Sequence, residues 1–132
     1  MLASISIGVS GLDAATRRLG AAASNLANAQ SSGSLPGQPG PAPYAPVQIV
    51  QAASGVAGES GTIACAVPMV PAYVPAFDPQ SPDANAEGLV AMPNVDPAQQ
   101  IVQMATARLS FAANLKTVQT AMAMTDQLLA LA

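Results

Sequence analysis

Apolar side chains recur in alternating steps of four and three at both ends of this chain. Near the start the stripe is Ile5, Val9, Leu12, Leu19, Ala23 and Leu26, with Thr16 as its polar member. That spacing keeps one face of a helix apolar and resembles a coiled-coil seam. Toward the end the same rhythm runs through Ile101, Met104, Phe111, Leu115, Val118, Met122 and Leu129, with Arg108 and Thr125 interrupting it. Asp96 is placed to cap this second helix, Pro97 suits its first position, and Gln99 stands where a capping box needs it. At 1.5 Å per residue the helix would run about 50 Å, longer than a small core requires. Gly8, Gly11 and Gly20 each cost the first helix about 1 kcal/mol relative to alanine, so it needs packing to hold it.

The middle has a different character. All twelve prolines lie between Pro36 and Pro97, leaving the end segments free of the strongest helix breaker. Ser31 to Pro43 has the composition of a flexible, partly extended linker. Tyr44–Gln51 and Thr62–Val70 are predicted as short strands, with Ile63, Cys65, Val67 and Met69 on one face and a turn around Gly55, Gly58 and Gly61. The predicted fold is mainly α, with long N- and C-terminal helices packed as a coiled-coil-like pair and a small irregular β-rich middle region. The divisions expected are an N-terminal helix within 1–30, a proline-rich and β-rich region over 31–95, and a C-terminal helix within 96–132.

Composition narrows the chemistry. Among 132 residues there is no histidine and one cysteine, Cys65, so the usual general base, the commonest zinc ligand and an internal disulfide are all missing. Four basic residues, Arg17, Arg18, Arg108 and Lys116, are too few and too dispersed to bind a run of phosphates, and no nucleic-acid partner is expected. The apolar run Ile63–Phe77 is broken by Pro68, Pro71 and Pro75, so no membrane insertion is expected. The first residues carry no positive charge, and we read no cleavable signal there. Cys65, alternating with apolar neighbours, is expected to be a small core residue.

The segment DANAEG, Asp83 to Gly88, has the opening spacing of a calcium loop, but Asn94 stands where a bidentate glutamate is needed. A polar turn in which Asp83 and Asn85 bond their own backbone is the favoured reading. Neither a metal nor a cofactor is expected, and an enzyme is disfavoured. What remains is apolar helix surface larger than a small hairpin covers, which points to further helices. Asn25 and Asn28 flank Leu26 where the first helix ends, placed either to terminate it or to bond neighbouring chains.

Taken in order, SGL followed by RL, ASNLANA, PY after a glycine-rich linker, DANAEG, MPNVD and SFAAN resemble the bacterial flagellar basal-body rod proteins, most closely their FlgC-type proximal members. The resemblance implies a structural subunit without catalysis, located in the rod that crosses the periplasm. Its helical ends would lie in the inner layer of a hollow helical tube and its middle would form a small outer domain. The partners implied are further copies in a helical assembly, other flagellar rod proteins and the flagellar export apparatus. The motif positions are Leu19, Ala23, Asn25, Leu26, Ala27 and Asn28 at one end, and Pro93, Asn94, Val95, Met104, Phe111, Ala113 and Asn114 at the other. The expected subunit-packing residues are Ile5, Val9, Leu12, Leu19, Ala23, Asn25, Leu26 and Asn28 at one end, and Ile101, Met104, Phe111, Asn114, Leu115, Val118, Met122 and Leu129 at the other. A rival from the residues alone is a helical-hairpin binding module for another protein.

Overall fold

The computed structural model describes residues 2–54 and 61–131. Its elements follow in the order α1 (Leu2–Ala27), β1 (Val47–Ala53), β2 (Thr62–Pro68), β3 (Tyr73–Phe77), β4 (Leu89–Pro93) and α2 (Pro97–Leu129). Asp96 starts α2 as its sequence predicts. Its Oδ1 accepts from the backbone N–H of Ala98 at 2.9 Å and of Gln99 at 3.4 Å, satisfying donors that the first turn leaves without partners. At the other helix end, the Asn28 side chain donates to the Ser24 carbonyl at 2.8 Å, alongside the Asn28 backbone N–H at 3.1 Å.

Contacts divide the chain into two compact units. The first comprises Met1–Gly20, Ile49–Cys65 and Gln103–Ala132. In it α1 and α2 run antiparallel and meet at very small residues. A Cβ added to Gly8 would lie 2.5 Å from Val118 Cγ2, and one added to Gly11 would lie 2.6 Å from Asn114 Oδ1. The backbones therefore approach at positions where any larger side chain would have to displace its neighbour. Ala14, Ala15, Ala107 and Ala121 are buried in the same unit. Ser10 ties the β region to α1, its Oγ accepting from the Thr62 N–H at 3.0 Å.

β1 and β2 form a two-stranded sheet, with the Ser54 N–H donating to the Gly61 carbonyl at 2.9 Å. Gly55 and Gly58 of the predicted turn lie outside the described residues. The inward side of β2 differs from the sequence expectation: Ala64 is buried, whereas Ile63, Cys65 and Val67 are exposed. Cys65 is thus not a core residue. Ser10 holds the start of the strand close to α1, and the short side chain of Ala64 fits that side while its larger neighbours alternate outward.

The second unit comprises Ala21–Gln48 and Ala66–Val102. Here β3 and β4 pair antiparallel, from Tyr73 opposite Pro93 to Phe77 opposite Leu89. The sequence reading names neither strand. Pro75 is tolerated on β3, which has a partner on one side only among the described residues, while β4 is paired on both. The second partner of β4 is Gly33, whose N–H donates to the Ala91 carbonyl at 3.0 Å and whose carbonyl accepts from the Ala91 N–H at 2.9 Å. Val90 and Ala91 are fully buried as a result.

The predicted flexible linker is consequently a closed loop. Ser34 is buried, its N–H donating to the Pro41 carbonyl at 2.8 Å and its Oγ to the Pro39 carbonyl at 3.1 Å. Composition made this stretch look mobile, but the added bridge at Gly33 gives it fixed backbone partners.

Two glycine substitutions separate helix propensity from close packing. Gly20 has open space around it, so Gly20→Ala is expected to stabilise by about 1 kcal/mol. A Cβ at Gly33 would stand 2.6 Å from the Pro43 backbone nitrogen, so Gly33→Ala is expected to destabilise by roughly 2 kcal/mol. Thermal unfolding followed by circular dichroism checks both, with the melting temperature moving up for the first and down for the second.

Candidate functional site

Two stripes share each long helix. On α1 the buried positions include Gly8, Ala15 and Ala22, seven residues apart, joined by Ala14 and Asn25. On α2 Gln100, Ala107 and Ala121 are buried and Asn114 is half-buried, again at intervals of seven. These small and polar residues make the chain's own seam. The stripe of larger apolar residues is displaced from it by one position, about 100° around the helix.

The expected packing residues fall accordingly. Ile5, Leu12, Leu19 and Leu26 are half-buried, as are Met104, Asn114 and Val118. Val9, Ala23, Ile101, Phe111, Leu115, Met122 and Leu129 are exposed. Leu109 and Leu129 are more than two-thirds exposed, at 73% and 70%, on a helix that already spends its smallest side chains on its intrachain partner. The heptad spacing of Gly8, Ala15 and Ala22 was visible in the sequence, but a scan for large apolar residues passes over it.

In the first unit Ala15, Thr16, Leu19, Ala107, Arg108 and Phe111 line a largely apolar groove of about 360 Å^3. Arg108 and Phe111 are exposed there. Such a groove suits an incoming aliphatic or aromatic side chain better than a reactive substrate.

Asn25, in the second unit, has a different role from the exposed residues. It is 1% exposed and uses both faces of its amide. Its Nδ2 donates to the Val47 carbonyl at 2.7 Å and to Gln100 Oε1 at 3.1 Å. Its Oδ1 accepts from the Val47 N–H at 3.1 Å and from the Tyr44 hydroxyl at 3.1 Å. The side chain thereby pairs with Val47 as a neighbouring strand would, and two donors and two acceptor sites are all occupied. Ser24 Oγ lies 2.9 Å from the same Tyr44 hydroxyl.

The acidic turn is also internal in its bonding. Asn85 Oδ1 accepts from the N–H groups of Glu87 at 3.0 Å and Leu89 at 2.8 Å, which closes the turn entering β4. Gly88 takes φ +76, a conformation that favours glycine. No group of three or more His, Cys, Asp or Glu side chains fit to hold a metal is present among the described residues. No described helix is long and apolar enough to cross a membrane.

A family model described as flagellar basal body rod FlgEFG protein C-terminal matches residues 86–131, the span that contains the Gly88 turn, β4, the Asp96 cap and α2. The flagellar basal-body rod protein FlgC of Salmonella typhimurium strain LT2 is 36% identical over 115 residues, covering 87% of this chain and 85% of that protein. The chain belongs to the FlgC family of flagellar basal-body rod proteins. FlgC of Escherichia coli O6:H1 is likewise 36% identical, over 118 residues, with 87% and 85% covered. FlgC of Aquifex aeolicus is 43% identical over a shorter 47 residues, 36% of this chain and 35% of that protein.

Membership in the FlgC family makes the chain a structural subunit of the flagellar basal-body rod and does not favour the hairpin binding module. It assembles with other flagellar components. Within that frame the two asparagines divide their work: Asn25 secures the second unit from inside, and Asn28 finishes α1. Asn25→Ala would remove the side-chain partner of both backbone groups of half-buried Val47 and of the buried Gln100 amide, leaving the Tyr44 hydroxyl with Ser24, and should cost about 3 kcal/mol. Asn28→Ala removes one exposed bond and should cost under about 1 kcal/mol. Urea unfolding of the two variants measures the difference.

Proposed function

We propose that copies of this protein join head to tail through contacts that do not close into a ring, giving an open helical segment of the proximal rod. That segment crosses the periplasm and transmits rotation by its stiffness, a structural rather than catalytic role. The observation carrying this reading is the exposed apolar stripe on α2, with Phe111, Leu115, Met122 and Leu129 left in contact with water. A soluble protein rarely leaves so much contiguous apolar surface uncovered unless a partner covers it. Burial against neighbouring helices would contribute about 25 cal/mol per Å^2 of apolar area removed from water.

The subunit-packing surface in this proposal consists of the outward residues Val9, Ala23, Ile101, Phe111, Leu115, Met122 and Leu129, with Ile5, Leu12, Leu19, Leu26, Met104 and Val118 at its margins. Asn25, Asn28 and Asn114 support it by fixing the helices that carry it. The same neighbours include other rod proteins, and delivery is through the flagellar export apparatus. The weakly helical N-terminal segment, with its three glycines, suits a chain that completes its packing only on arrival.

The double variant Phe111→Glu with Met122→Glu tests the stripe. Both residues are exposed, so the isolated subunit should keep its helix content and lose no more than about 1 kcal/mol of stability. In the source bacterium the variant should leave cells without complete rods and unable to swim, scored by basal-body imaging and soft-agar spreading. Normal rods and normal swimming would defeat the proposal.

A further inference from the structure

α2 carries three charged residues, Arg108, Lys116 and Asp126. Arg108 and Asp126 are separated by five turns of 3.6 residues, so they fall on one face of the helix about 27 Å apart along its axis. Lys116 lies roughly 80° away from that face. Both Arg108 and Asp126 are exposed, and the one ion pair among the described residues joins Arg17 to Asp13 on α1. Apolar residues obey the same five-turn translation: Met104 maps onto Met122, and Phe111 onto Leu129. Ile101 maps onto Gln119, so within the overlap the slide matches two apolar pairs, Met104 with Met122 and Phe111 with Leu129, on either side of one cation–anion pair.

We propose that this self-match sets the stagger between adjacent copies: the α2 helices of two neighbours lie side by side and parallel, offset by about five turns, with Arg108 of one copy paired to Asp126 of the next. The inference rests on the open-assembly reading above. A pair of this kind adds little affinity when exposed to water. Its use lies in register, because other offsets place Arg108 opposite a neutral or like-charged residue instead of Asp126, and a like or unpaired charge is costly at every repeated contact. An antiparallel closed dimer would also bring the two charges together. It would place Phe111 opposite Ala123 and Met122 opposite Ala112, losing the match between large apolar side chains.

Charge reversal in the source bacterium tests the pair, with the deletion strain and the wild-type gene run alongside. If deletion leaves swimming intact, the rod-subunit reading fails. If deletion stops swimming and the wild-type gene restores it, the pair is tested on its own. Arg108→Asp and Asp126→Arg should each reduce soft-agar spreading to that of the deletion strain, and the double variant carrying both should restore it. Single variants that swim normally, or a double variant that remains non-motile, would overturn the proposed pair. Cross-linking separates the two geometries: full-length chains carrying Cys65→Ser, Arg108→Cys and Asp126→Cys, treated with a short bismaleimide in cells, should give a ladder of multimers. A product that stops at the dimer would overturn the parallel stagger.

Discussion

The close approach of α1 and α2 is the constraint on which the rest of the structure depends. Because Gly8 and Gly11 face Val118 and Asn114 with no room for a Cβ, the helices meet along their smallest side chains. Such a seam buries little apolar area per residue and relies on intimate contact, in which each dispersion interaction is weak and their number matters. Of the larger side chains Val118 meets Gly8, whereas Leu109, Met122 and Leu129 remain exposed. A helix pair arranged in this way leaves a stripe of large apolar side chains on α2 exposed.

The polar interior follows a complementary logic. Asn25 replaces a length of strand: its amide pairs with both backbone groups of Val47, and its remaining sites engage Gln100 and Tyr44. An apolar residue of the same size would leave the buried Gln100 amide and the backbone groups of Val47 without this partner, which costs more than the net value of the bonds themselves. Gly33 does the equivalent with backbone alone, extending β4 on the side away from β3. Both devices fix irregular chain by giving its N–H and C=O groups partners, and neither requires a large hydrophobic core.

A structural subunit of the basal-body rod gains from this division of labour. Within the single chain, small residues and satisfied polar groups make the buried contacts, and large apolar side chains of α2 stay exposed. Proline and the turn closed by Asn85 shape the β region without lengthening either helix. The ion pair of Arg17 with Asp13 is exposed and contributes little to stability.

Periodicity and capping alone determined the two helices, the start of α2 at Asp96 and the concentration of irregular structure between them, because these depend on neighbours within a few residues. The ordered motifs from ASNLANA to SFAAN carried the family resemblance for the same local reason. Only the tertiary structure decided which stripe of each helix faces its partner, since hydropathy favours Phe111 and Leu115 whereas close backbone approach selects Gly8, Ala15 and Ala107. It also decided that Cys65 faces outward, that proline-bearing β3 and β4 are strands, and that Gly33 closes the apparent linker. Those outcomes depend on pairing between segments distant in sequence, where steric fit and backbone hydrogen bonding outweigh the preference of any single residue.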